Sequence, residues 1–487
     1  MNFRRGNGKR GIASLGLILL FSIGCYGGPQ PAMTETEANT TPPADPLSLQ
    51  QLQEDTFRYF WETTSSNTGL APDRYPSDSP ASIAAIGFAL TAYPIGIERK
   101  YISKEQATQR TLTTLRFLLN LPQGPESSGT SGYQGFFYHF LDNQDGLRSL
   151  DWEIELSTVD TALLMAGVLF AQSYYDGQST DEHEIRFLAE ELYKRVNWQW
   201  AQNNEPLISL GWMPDKGFLD YDWVGYNEAM LVYVLALGSP TFPIEPDAWT
   251  KWADHYADDW GGLEPYEHLT FGPLFGHQYT HVWIDFRGIQ DTYMAEKESD
   301  YFLNSRIAVH AQRQYAIANP SRWDGYSSEI WGITACDGPG PFHRQFKGTL
   351  REFRGYSARG VAMTHNFDDG TLSPTAVGGS IAFAPDIVIP ALQALYDQYG
   401  KYIYSEYGFL DAFNPSFRYD VEPESGQIIP GVGWVGSDYI GIDQGPILTM
   451  TENYQSELIW TTMRKNPHIR RGLQRAGFTG GWLDSAD

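Results

Sequence analysis

The chain has 487 residues, a formal net charge of −25, 42% hydrophobic and 19% charged residues. Such a composition folds around a large core and is not that of a disordered chain. A surface this acidic repels phosphate and anionic lipid, which excludes nucleic acid and polyanionic polysaccharide as partners. Aromatic residues reach 14%, a high share that the elements below must account for.

Residues 2–10 are basic and 11–24 are apolar but too short to span a bilayer comfortably. Cys25 follows, and Gly, Pro and Thr dominate up to residue 46. This pattern predicts a signal peptide over 1–25 and a flexible tether over 26–46. Ser22, Ile23 and Gly24 before Cys25 resemble a bacterial lipobox, although its usual Leu is missing. The expectation is an exported protein, periplasmic or anchored to the outer membrane by a lipid on Cys25. Membrane contact is expected only through that lipid. The other cysteine is Cys336, so a lipidated Cys25 leaves no internal disulfide.

The rest of the chain reads as amphipathic helices separated by long loops rich in aromatics and glycine. Helices are predicted over 48–63, 81–93, 103–120, 157–175, 182–202, 224–237, 246–257, 298–318, 385–399, 443–464 and 466–476. Ser103 with Gln106 fits a capping box, as does Ser157 with Asp160 in place of Glu. Pro385 suits a first helical turn. Short hairpins are expected within 131–155 and 408–435. Many helices without β–α–β alternation predict an all-α fold, a toroid of helical hairpins. It would form one domain over 47–487, with long loops gathered at one end. Loops as long as 258–297 and 319–384 point to function. A monomer is expected.

Phosphate-binding, dinucleotide-binding, serine-hydrolase and zinc-protease motifs are absent. The ten histidines and two cysteines show no zinc spacing. Asp142–Gly146 is read as a plain turn and not a calcium loop. Neither a metal nor a cofactor is expected.

What remains is carboxylates set among aromatic residues. Cleavage of a glycosidic bond needs that arrangement: one carboxylic acid protonates the leaving oxygen, a carboxylate acts on water or the anomeric carbon, and rings hold the sugar. Four stretches qualify. The first, 151–160, carries Glu153, Glu155 and Asp160 at a helix start, where Asp160 could equally be a cap. The second, 220–230, carries Trp223, Tyr226, Asn227 and Glu228 ahead of an apolar run that would raise a carboxyl pKa. The third, 271–288, holds His277, His281, Trp283, Asp285 and Arg287, where an Asp285–Arg287 pair could simply pin the loop. The fourth, 434–454, holds Trp434, Asp443 and, further along, Glu452.

Together the strings STVDTALLMAG (157–167), GYNEAM (225–230), PLFGHQYTHVWIDFRGIQD (273–291), SSEIWGITACDGPG (327–340), GYSARG (355–360), DDGTLSPTAVGGSIAFAP (368–385) and IDQGPILTMTENYQS (442–456) resemble a known group. It is the bacterial glucoamylase-domain family that includes endo-β-1,2-glucanases and the C-terminal domain of cyclic β-1,2-glucan synthases. The resemblance implies an (α/α)6 toroid and an acidic pocket ringed by aromatics. It implies hydrolysis of a neutral oligo- or polysaccharide, most directly an endo-β-1,2-glucanase acting with inversion. Glu228 is then the expected acid, with Glu155 or Asp160 on the water side. Trp223, Tyr226, Asn227, His277, Trp283, Asp285, Arg287, Trp331, Trp434 and Asp443 are the expected substrate contacts. The alternatives are a transglycosylase on β-1,2-glucan and a sugar-binding lipoprotein without turnover.

Overall fold

The computed structural model describes residues 46–150, 153–262, 264–364 and 366–485. The predicted signal peptide, Cys25 and nearly all of the tether lie outside the described residues, as do Asp151 and Trp152.

Helices dominate and sort into two kinds. Ile83–Glu98, Thr158–Tyr174, Met230–Gly238 and Gly441–Ser456 are buried around almost their whole circumference. The first three are apolar on nearly every face, which only a helix surrounded by others tolerates, whereas Gly441–Ser456 buries polar residues such as Asp443 and Glu452. Lys104–Asn120, Thr180–Lys194 and Pro385–Ile403 bury one stripe and leave charged residues outside. Ile83–Glu98 packs against Thr158–Tyr174, Gly441–Ser456, Lys104–Asn120 and Leu49–Thr63. Capping boxes at Ser103/Gln106 and Ser179/Glu182 start two of the outer helices.

Ile83–Glu98 and Thr158–Tyr174 cross in close contact. A Cβ on Gly87 would lie 2.4 Å from the Leu163 carbonyl oxygen, and one on Gly167 2.1 Å from that of Gly87. Backbone meets backbone there, so no side chain can move aside. Gly167→Ala is expected to lower stability by about 1–3 kcal/mol, the range for overpacking, despite alanine's better helix propensity. Thermal melting of the variant measures this, and an unchanged melting temperature would contradict it.

Three buried helices are each entered through a two-residue strand. Ala81–Ser82 pairs with Phe140–Leu141, Leu156–Ser157 with Gly211–Met213, and Tyr439–Ile440 with Arg74–Tyr75, all antiparallel. These ribbons bring the starts of the three helices to one end of the molecule.

Several expectations are corrected. The fold is helix-rich but not all-α: many two- and three-stranded ribbons tie the loops, the longest being Phe342–Phe346 with Thr349–Phe353. Strands of two residues are too short for alternation to register. The 182–202 helix is two, Thr180–Lys194 and Trp198–Ala201, with Asn197 capping the second. The 443–464 helix breaks at Glu457, whose φ of 59° is left-handed. The 224–237 helix begins only at Met230, because Gly225 takes φ +74° and a turn follows it. Helical segments Leu274–His277, Tyr279–Trp283 and Pro374–Gly378 lie where loops were expected; four or five residues carry no readable period.

Candidate active site

A cavity of about 210 Å³ opens where the three strand-led helices begin; Asp73, Arg74, Ser82, His139, Glu155, Asp160, Trp223, Glu228 and Tyr279 are among the residues that line it. A single water needs ~10–15 Å³, so this is a binding space rather than a packing flaw. Phe140, Phe275, Tyr356, Ile440 and Ile442 supply rings and apolar walls.

Glu155 ends the stretch before the Leu156–Ser157 strand, and its Oε1 lies 2.9 Å from His139 Nδ1. Asp160 stands in the first turn of the next helix. Its backbone N–H donates to Ser157 Oγ at 3.2 Å, and Ser157 Oγ donates to its Oδ2 at 2.5 Å. Ser157 therefore caps the helix, and Asp160 has a second face free for the cavity. Its Oδ1 is 3.6 Å from His139 Nε2. Burial pulls His139 down, but the carboxylates of Asp160, Glu155 and Asp73 outweigh it and lift its pKa to about 9.

Glu228 sits in the turn before Met230–Gly238. Asn227 does the capping there: its Oδ1 accepts from the Ala229 N–H at 3.0 Å and its Nδ2 donates to the Val224 carbonyl at 3.1 Å. Glu228 is left buried, and its Oε2 has no hydrogen-bond partner. Burial, reinforced by the charge of Asp160, lifts its pKa to about 7. A carboxyl that holds its proton near neutrality beside two carboxylates is an acid set against bases. Trp223 lines the same cavity, with its Nε1 donating to Thr158 Oγ1 at 2.9 Å.

Other expected contacts are elsewhere. Trp283, Trp331 and Trp434 are 0% exposed, so none has a face on which a sugar can stack. Trp283 donates to Thr91 Oγ1 and Trp434 to the Ser425 carbonyl. Tyr226 is buried with its hydroxyl 3.4 Å from Ser305 Oγ. His277 is buried against Tyr226 and His268, and burial pushes its pKa well down. Asp285 is the loop pin: its carboxylate accepts from Arg287 Nε at 2.8 Å and Nη2 at 3.0 Å, and also from Arg464. Arg287 in turn reaches Glu457 at 2.8 Å and lies over the Trp460 ring. Glu452 is held by Gln53 and Arg99. Glu153 is exposed and pairs with Lys216 at the rim.

Asp443 is buried beside Asp411 behind the cavity wall formed by Ile440 and Ile442. Burial lifts Asp411 to about 7, and burial together with Asp411 pushes Asp443 well up. Burial thus pushes each of the two carboxyls toward the protonated form. Next to them Arg74 Nη1 reaches Asp337 at 2.9 Å and Asp438 at 3.4 Å.

Sequence reasoning missed His139, Asp73, Arg74, Tyr279 and Tyr356. A lone histidine in the aromatic run FFYHF (136–140) was the available signal for the first. Asp73 and Arg74 gave none: they pair with each other, and the remaining partners of Arg74, Asp337 and Asp438, are hundreds of residues away.

A family model described as "Putative glucoamylase" matches residues 220–467. An exo β-1,2-glucooligosaccharide sophorohydrolase (non-reducing end) of Parabacteroides distasonis is 29% identical over 470 residues, 90% of this chain; the chain spans 59% of that relative's length. A crystal structure of the same family description from Bacteroides uniformis is 30% identical with a TM-score of 0.76, covering 90% of this chain and 98% of that one. The endo-β-1,2-glucanase of Chitinophaga pinensis, solved with sophorotriose and glucose, is 27% identical with a TM-score of 0.74, covering 90% and 100%.

Proposed function

The chain belongs to the glucoamylase-like family, and from that premise we propose that it is a glycoside hydrolase that cleaves β-1,2-glucan. The observation that carries this reading is the placement of Glu228, Glu155 and Asp160 on one cavity, with Glu228 protonated near neutrality. In this reading Glu228 protonates the departing glycosidic oxygen. Glu155 or Asp160 takes a proton from the water that attacks the anomeric carbon from the opposite face, with inversion. Trp223, Tyr279 and Tyr356 present rings and hydroxyls to the sugar. The inner buried and outer amphipathic helices are read as an (α/α)6 toroid whose loops form the acidic pocket. The basic and apolar segments before Cys25 support export as a lipid-anchored protein.

We read the action as endo, because the endo enzyme of Chitinophaga pinensis is matched over its full length. An exo action releasing sophorose is favoured instead by the Parabacteroides distasonis relative. The time course of products from long β-1,2-glucan decides. A ladder of oligosaccharides that shortens with time supports endo action, and sophorose alone from the first minutes supports exo. Products longer than an oligosaccharide substrate indicate transfer. Binding without any new reducing ends would leave a sugar-binding protein and sink the hydrolase.

A further inference from the structure

His139 joins the two acids, and its own backbone is fixed by both strands that lead into the neighbouring buried helices. Its N–H donates to the Glu155 carbonyl at 3.0 Å, and its carbonyl accepts from the Ile83 N–H at 3.3 Å. Its ring lies flat on Phe140, with centroids 4.0 Å apart and planes at 11°. One ring nitrogen is 2.9 Å from Glu155 and the other 3.6 Å from Asp160. From the Arg74–Tyr75 side Asp73 faces it, while Arg74 is taken up by Asp337 and Asp438. Glu228 faces Asp160 from beyond. Imidazolium is the side chain suited to this place, because its charge reaches two opposite edges of one ring, hydrogen-bonded to Glu155 on one and ion-paired with Asp160 on the other.

We propose that His139 is a positioning residue: its charged ring ties Glu155 to Asp160, so that both acids stay fixed toward one sugar linkage. The inference rests on the hydrolytic reading above. Two acids on one cavity repel when both are charged, and a cation between them offsets that repulsion. A protonated carboxyl cannot take a proton from water. Ser157 fixes only one side of Asp160, and the stacked Phe140 keeps the ring in the plane that serves both acids.

The test has two parts. Nitrogen NMR of the intact protein follows the His139 ring, assigned through its contact with Phe140, from pH 5 to 10. Both ring nitrogens are expected to stay protonated through pH 8, above the ordinary histidine value of about 6.5. A ring already neutral at pH 7 overturns the inference without any variant. In the second part, pH–rate profiles on β-1,2-glucan compare the wild type with His139→Gln. The variant is expected to lose at least ~10-fold in kcat with little change in KM. The acid limb of its profile should move up by about 1–2 pH units, as expected when a cation beside a carboxylate is removed. An equal loss at every pH, with no shift of that limb, marks a merely structural histidine and overturns the inference. A wild type that releases no reducing ends sinks the hydrolytic reading instead, while the NMR titration still decides whether the ring is charged.

Discussion

Glu228→Gln is expected to reduce release of reducing ends from β-1,2-glucan by about 10²-fold or more while the protein stays folded. Glutamine keeps the shape but has no proton to give to a leaving oxygen. The wild-type rate should itself fall as pH rises through about 7, where Glu228 loses its proton. Stability moves in the same direction with pH. The folded-state pKa lies above the ordinary 4.5, so the contribution of Glu228 is fully present below pH 4.5 and is lost as pH rises through 7. Above pH 7 the wild type must bury a charge whose Oε2 has no partner, and the glutamine variant need not. At pH 8 the variant is therefore expected to melt at the same temperature as the wild type or higher. Near-normal turnover would remove Glu228 from the reaction, and a lower melting temperature at pH 8 would show that its carboxylate is better satisfied than the structure implies.

Arg359→Met is expected to cost about 3–5 kcal/mol, the range for breaking a buried ion pair from one side. Arg359 and Asp369 are both 0% exposed, with Nε to Oδ1 at 2.8 Å and Nη2 to Oδ2 at 3.0 Å. Burial alone would push Asp369 up, but Arg359 holds it below the usual carboxylate range. The same guanidinium donates to the carbonyls of Cys336, Arg354, Gly355 and Ser357. It thereby folds the segment that presents Asp337 to Arg74 and Tyr356 to the cavity. Turnover should fall with stability, since that cavity wall is built on the pair. Urea unfolding measures the first effect. A second variant, Arg359→Met with Asp369→Leu, should recover part of the loss by removing the orphaned charge. Recovery stays incomplete because four carbonyls have lost their donor. A single variant less than ~1 kcal/mol below the wild type would show that these carbonyls and Asp369 find other donors.

Much of the helical frame was legible because its signals are local. Ser103, Ser157 and Pro385 mark starts within a residue of where helices begin. The apolar run 158–171 is a helix because its neighbours in sequence already fill every face of a turn. The strings around Glu155, Asp160 and Glu228 were likewise readable as acids beside aromatic residues. Predicted ends failed where one residue departs from helical φ, as at Glu457, or where an apolar run begins later than its polar leader suggests, as at Met230.

Composition, period and caps act over a few residues, so the helix-rich class, the acidic surface and the two stretches from which the carboxyls come could be read locally. Tertiary structure alone decided which aromatic rings face the cavity, which acid keeps its proton, and that His139 stands between two others. Trp283 and Trp223 look alike in sequence, yet one is sealed in the core and the other lines the cavity. The physical reason is that burial and charge pairing depend on residues brought together from far along the chain. Arg74 meets Asp337 across 263 residues, and no local pattern encodes that meeting.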